Sequence, residues 1–288
     1  MAEFNNKKYR SAKAGKIAKK AIIYTILVIM SFIWLVPFVY LILQSFATEF
    51  VYTSFAPQSW TFNNYVRLFT DKAFPFWRWF LNTLGIALIN CVLQTILTLM
   101  TSYTLSRLRF KGRQTLMKMM LILGMFPGFL SMIAVLFILK LIGLNASMFG
   151  LVIIYAAGSA MGYYISKGFF DTIPKSLDEA VLIDGGTKNT VFWKIILPLS
   201  KPIIVYTILM SFTAPWGDYM MASYVAQGDP NMWNVAVGLQ QMLSRGNIET
   251  YFPTFCAGAV VTSIPIMILF FALQKYYVEG VTGGSVKG

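Results

Sequence analysis

D-T-I-P-K-S-L-D-E-A-V-L-I-D-G-G-T-K-N-T-V-F-W-K-I-I-L-P-L-S-K-P, residues 171–202, is a polar insert between two long apolar runs, and its reading decides the fold. It carries two sets of helix signals separated by a turn. Ser176 stands three residues before Glu179, the spacing of a capping box, in which hydroxyl and carboxylate satisfy the first free amides of a helix. Leu177, Ala180 and Val181 then form an apolar stripe on one face of a short helix. Asp184-Gly185-Gly186 ends that helix, because glycine adopts the left-handed backbone that a C-terminal cap requires. Thr187 caps a second helix whose Phe192, Ile195, Ile196 and Leu199 point back toward the flanking apolar runs, and Pro198 and Pro202 mark its far end. Such a hairpin is either gripped by another protein or packed on its own chain, and pattern alone leaves both open.

The flanking runs set the class. The chain has 288 residues, 57% hydrophobic and 12% charged, with a mean hydropathy of +0.63. Those values lie far from a soluble globular average. Six apolar runs stand out, at residues 21–44, 82–106, 115–139, 148–170, 203–226 and 254–276. Each is about 35 Å long as a helix, enough to cross a bilayer with some tilt. The expectation is an all-α polytopic membrane protein. Residues 1–20 form a basic cytoplasmic N-terminus, 21–277 a six-helix transmembrane domain that includes the 171–202 loop, and 278–288 a cytoplasmic tail.

A net charge of +13 would suggest nucleic acid in a soluble protein, but the positions of the charges argue otherwise. With the N-terminus and the 171–202 loop on one side, that side holds 19 of the 24 basic residues. The short opposite loops hold Arg67, Lys72, Arg78, Lys140 and Arg245. This bias makes the basic side cytoplasmic and puts both termini there. Only the isolated Tyr9 and Phe110 fall within the basic runs, not the series of aromatics that base stacking needs, which sets nucleic acid aside.

The remaining features are read in chain order. The first apolar run is too long for a signal-peptide core and lacks a cleavage motif, so it is an uncleaved helix with a basic anchor. The outer loop 48–81 is rich in aromatics, mostly an interfacial belt. Ser106 to Arg113 is a short turn of solvated basic charge. Pro37, Pro127, Pro215 and Pro265 fall inside spans and would bend them where neighbours satisfy the freed carbonyls. Asp218 is the one acid within the six runs; an intramembrane carboxylate is a functional candidate, and capping or pairing at the outer interface is the alternative. Cys91 and Cys256 lie within spans without metal-ligand spacing and pack as small apolar residues.

Glu179-Ala180-Val181, Gly185, and Ile195 with Leu197-Pro198 together resemble the EAA loop of permease subunits in ATP-binding-cassette importers. In that family this loop docks in a cleft of the ATPase. Val181 stands where Ala is usual, and so does Gly186. Asn64-Tyr65-x-x-Leu68-Phe69 and Trp79-Phe80-x-Asn82-Thr83 are similar to the start of the conserved core of sugar-importer permeases. Trp216-Gly217-Asp218-Tyr219 resembles a family tetrapeptide, with Gly217 a departure. The stretch from Val235 to Asn247 and the glycine-rich tail look like the maltose-type subunit. The likeness runs from about Asn64 to Gly288.

The resemblance implies the six-helix type I importer fold and a set of site residues. Coupling to the ATPase would fall to Ser176, Leu177, Glu179, Ala180, Val181, Asp184, Gly185, Gly186 and Pro198. Gly283, Gly284, Val286 and Lys287 of the tail would touch the ATPase, and Gln240, Gln241, Ser244, Arg245, Gly246 and Asn247 the binding protein. Asn82, Asn90, Trp216, Asp218 and Tyr219 supply the residue types of a sugar path.

No G-x-x-x-x-G-K-[ST] occurs, so the chain lacks a phosphate-cradling loop and nucleotide falls to a partner. Histidine is absent and Asp218 stands alone, which disfavours a proton relay. Nothing in the sequence supplies the paired carboxylates, metal cluster or triad of an enzyme. The expected assembly in a bacterial inner membrane comprises this chain, a second permease, two ATPases holding ATP and Mg, lipid and an extracytoplasmic sugar-binding protein. A non-sugar solute, a membrane-embedded enzyme and a purely structural subunit are the alternatives.

Overall fold

The computed structural model describes residues 2–51, 54–125 and 128–283. Three helices in it are long and apolar enough to cross a bilayer unbroken, over Ile17–Gln44, Phe76–Arg107 and Ile248–Tyr276. They belong to helices α1 (Ala2–Gln44), α3 (Phe76–Arg107) and α14 (Ile248–Gly283). Between α1 and α3 lies the short α2 (Asn63–Thr70).

The other expected spans are broken. Helices α4 (Arg113–Met125) and α5 (Gly128–Leu141) flank residues 126–127, with 110° between their axes. Pro127, expected to bend this span, lies outside the described residues. Helices α6 (Met148–Ala157) and α7 (Ala160–Asp171) meet at 40° across Gly158-Ser159. The 171–202 insert folds as α8 (Lys175–Ile183), α9 (Lys188–Val191), a π turn Phe192–Ile196 and α10 (Leu197–Leu199). It then turns 81° into α11 (Lys201–Gly217). Counting each bent pair as one span gives six, the number read from hydropathy. The expected run 203–226 is not continuous, because Asp218 takes an extended backbone (φ −81°, ψ 99°) and separates α11 from α12 (Met220–Ala226). Pro37, Pro215 and Pro265 sit inside unbroken helices.

Helix α3 is the axis of the packing, against α11, α7, α6 and the short α13 (Val235–Met242). Three apolar clusters lie along it. Phe76, Trp79, Phe80 and Ala87 pack on Phe212, Trp216, Leu239 and Met242 at the outer end. Ile86 joins Leu151, Val225 and Val237 in the middle, and Leu99 and Tyr103 join Phe170, Phe192, Ile196 and Ile203 at the inner end.

Two glycines allow the closest approaches. A Cβ on Gly238 would lie 2.0 Å from the Trp79 ring, and one on Gly258 would lie 2.6 Å from Leu239. The outer segment 227–253 therefore holds α13 as a wedge between α3 and α14. The aromatics of loop 48–81 divide in two: Phe76 and Trp79 are fully buried, whereas Trp60, Phe62 and Phe69 are exposed as a belt residue would be. Helix α1 is exposed around its whole circumference from Ile17 to Phe38 and packs through its outer end, where Tyr40 meets Phe55 and Phe252 and Gln44 is buried.

Candidate functional site

The 171–202 hairpin is built from local signals. Gly185 has φ +81°, the left-handed conformation that favours glycine. Around it Gly186 N–H donates to Val181 O at 2.8 Å and Gly185 N–H to Leu182 O at 3.2 Å, the paired bonds of a Schellman cap. Thr187 then opens α9 with a capping box, its Oγ1 accepting Thr190 N–H at 3.2 Å while Thr190 Oγ1 accepts Thr187 N–H.

The expected capping box at the start of α8 does not form. Pro174 (φ −57°, ψ 133°) occupies the cap position, so Ser176 lies in the first turn and its hydroxyl makes no capping bond. The stripe also differs from expectation. Val181 is half-buried against the inner cluster, while Leu177 is 39% and Ile183 85% exposed, with Glu179, Ala180, Leu182 and Asp184 also at the surface. Ile183 was missed; its signal was a large apolar side chain directly before Asp-Gly-Gly. Downstream, Phe192 and Ile196 are buried, but Leu199 is 51% exposed. The π turn causes this. Pro198 has no N–H for the Lys194 carbonyl, Leu197 N–H bonds back to Phe192 O instead, and the extra residue rotates Leu199 off the inward face.

What the sequence presented as solvated charge after span two is a clamp. The Arg107 side chain is only 4% exposed; its Nε lies 3.0 Å from Asp178 Oδ2 on α8, and Nη2 donates to Ile173 O at 2.8 Å. Tyr103 OH donates to Lys188 O at 2.7 Å, and Ser106 Oγ to Asp171 Oδ1 at 2.6 Å. Arg113 Nε donates to Leu105 O at 2.6 Å, closing the end of α3. Burial pushes the Asp178 carboxyl above its ordinary pKa; Arg107 pulls it down and Glu179 adds to the rise. Both helices of the hairpin are thus tied to one rigid helix.

Further along α3, a cavity of about 390 Å³ is lined by Gln94, Met132, Tyr155, Asp218, Met220 and Met221, among others. Asp218 caps and pairs there: Tyr155 OH donates to Oδ2 at 2.6 Å, and Oδ1 accepts Met221 N–H at 3.0 Å. Asn90 is buried behind the wall, donating to Gln94 Oε1 at 3.0 Å and Ser211 O at 2.7 Å. The other path residues do not converge on the cavity. Asn82 donates to Asn231 O and Trp233 O, both at 2.9 Å, and so pins the outer segment; Trp216 is buried in the outer cluster; Tyr219 is exposed. Long-range packing selected Asp218 alone from that set.

At the outer end, Gln240, Arg245 and Gly246 are exposed, whereas Gln241, Ser244 and Asn247 are half-buried in a turn. Asn247 Nδ2 donates to Gln241 O at 3.1 Å and Ser244 Oγ at 2.9 Å, which presents Arg245 and Gly246 at the tip. Gly283 ends α14; Gly284, Val286 and Lys287 lie outside the described residues. Cys91 and Cys256 are free thiols in half-buried and buried positions. No group of residues able to hold a metal occurs among the described residues.

Comparison with known proteins places this arrangement. Residues 94–283, which include the cavity wall, the clamp and the hairpin, match the family described as binding-protein-dependent transport system inner membrane component. The chain belongs to that family.

As a transport component of the inner membrane it is a permease and not an enzyme. It is 34% identical to the galactooligosaccharides transport system permease protein GanQ of Bacillus subtilis, over 92% of this chain and 94% of that protein. It is 38% identical to the maltodextrin transport system permease protein MdxG of the same organism, over 80% and 82%. It is 36% identical to the maltose/maltodextrin permease MalG of Escherichia coli K12, over 76% and 75%. A bacterial ABC transporter involved in import of the acidic polysaccharide alginate contains a chain of the same fold, with TM-score 0.74 at 24% identity over 89% of this permease and 95% of that chain.

Proposed function

We propose that this permease forms one half of a translocation path for a sugar or oligosaccharide, delivered by an extracytoplasmic binding protein and driven by partner ATPases. One observation carries the reading: the hairpin offers an exposed apolar surface at Leu177, Ala180 and Ile183 while its base is locked to α3, which also walls the cavity. A push on the knob therefore displaces a helix that reaches the path, as rigid-body gating requires. The relatives named for galactooligosaccharide and maltodextrin transport support a sugar as cargo. Helix α1, apolar and exposed on every side over residues 21–39, supports a second permease or lipid as its neighbour. ATP and Mg belong to the ATPase partners, and the positive charge bias supports cytoplasmic termini.

Cysteine placed at Ile183 should cross-link to a cysteine in the cleft of the co-purified ATPase, and transport should stop when it does. An Ile183 cysteine labelled only from the cell exterior, or a complex purified without ATPase chains, would sink the reading. Cargo is identified by reconstituting the complex with its own binding protein and ranking sugars, amino acids and phosphate by stimulation of ATP hydrolysis. A sugar ranks first if the proposal holds.

A further inference from the structure

At the cytoplasmic end of α3 two clefts share Arg109 and Arg113. One, of about 240 Å³, lies between Arg107, Arg109, Arg113, Asp171 and Lys175. The other, of about 530 Å³, continues along Phe110, Gly112, Gln114 and Thr115. Four cations and one carboxylate line the first, and that carboxylate is already committed to Lys167 and Ser106. Asp178 on α8 is held by Arg107. Arg109 and Lys175 are exposed and make no ion pair among the described residues. The second observation is inside the protein. Arg107, whose side chain is 96% buried by its 4% exposure, leaves Nη1 buried with no hydrogen-bond acceptor. A buried charged donor without a partner is costly, and the cleft it lines is where an acceptor would enter.

We propose that this cleft binds the phosphate group of an anionic membrane lipid. The donor set fits a tetrahedral anion, with guanidinium forks for paired oxygens and an ammonium as a point charge. The position selects a lipid over a soluble ion. The cleft lies where a membrane-spanning helix ends on the basic side of the bilayer, the setting in which basic pockets hold headgroups. From its rim Leu116, Met119 and Leu123, spaced three and four apart on α4, form an exposed apolar stripe beside which acyl chains run. Lys175 is the first residue of α8, so the bound phosphate bridges α3 and the coupling hairpin.

The test uses the whole complex purified in detergent, titrated with phosphatidylglycerol and read by native mass spectrometry. The R109Q/K175Q variant, which changes two exposed side chains outside the clamp, should bind phosphatidylglycerol about thirty-fold more weakly, from about one kilocalorie per basic residue. R109Q alone should lose about five-fold, and provides the measurement if the double variant fails to assemble. K111Q/K118Q removes the same charge from exposed positions just along the chain without touching the first cleft, and should bind as wild type does. Phosphatidylcholine should not be retained by any of them. Unchanged phosphatidylglycerol binding in R109Q/K175Q overturns the proposal, as does an equal loss in K111Q/K118Q, which would mean diffuse surface charge. Displacement of the lipid by equimolar inorganic phosphate also overturns it, in favour of a free-phosphate site.

Discussion

Two neighbouring glycines in the hairpin do different jobs. Gly185 has open space around it and a left-handed backbone, so a side chain there strains the chain by about 1–2 kcal/mol without a clash inside this protein. Asparagine tolerates that backbone and valine does not. Gly185→Asn should therefore keep the hairpin folded, as read by hydrogen exchange over residues 176–186, while Gly185→Val loosens it. If Gly185→Asn nevertheless abolishes transport in an assembled complex, the partner's cleft is what excludes the side chain. Gly186 is closed from within: a Cβ would meet Val181 Cγ1 at 2.6 Å and Val181 O at 2.8 Å. Val181 and Gly186 are thus coupled, because the Val181 methyl occupies part of the space a side chain at 186 would need. Gly186→Ala should lower the thermal stability of the complex, and Val181→Ala should restore part of the loss by removing the methyl but not the carbonyl contact.

The element that matters most at the next scale is the inner end of α3 with the hairpin it holds. The Arg107 side chain is buried and Asp178 half-buried, so removing either partner leaves the other without its counter-charge in a partly desolvated place. Arg107→Ala should speed hydrogen exchange in α8 and lower transport more than ATP hydrolysis, because the knob still docks but no longer drags α3. Burial raises the Asp178 pKa, so it is the charged form that burial disfavours. Asp178→Asn, neutral and of nearly the same shape, should accordingly destabilise less than Asp178→Ala. Equal exchange rates in all three variants and wild type would mean that the clamp does not hold the hairpin.

For the whole molecule, the proposed function makes ATPase contact, α3 and the outer surface one mechanical series, in which binding at the two ends is reciprocal. If a non-hydrolysable ATP analogue tightens the loaded binding protein, that protein should tighten the analogue by the same factor, within about 5- to 150-fold. Titration of the reconstituted complex measures both, and factors of one at both ends would exclude coupling between them. Arg107→Ala should bring both factors toward one.

The sequence alone determined the membrane class, the number of spans, the basic side and the turn at Asp184-Gly185-Gly186. These are properties of single segments: an apolar run, a charge bias or a glycine cap needs no distant partner to be recognised. The motif of the hairpin was legible for the same reason. Tertiary structure decided the rest. It broke span five at Asp218 and bonded that acid to Tyr155, sank Arg107 against α8, and spread Asn82, Trp216 and Tyr219 over separate surroundings. It also turned Val181 inward and left Ile183 outside. Each of those outcomes depends on what a side chain meets from another part of the chain, and periodicity along one helix carries no record of which neighbour will cover which face.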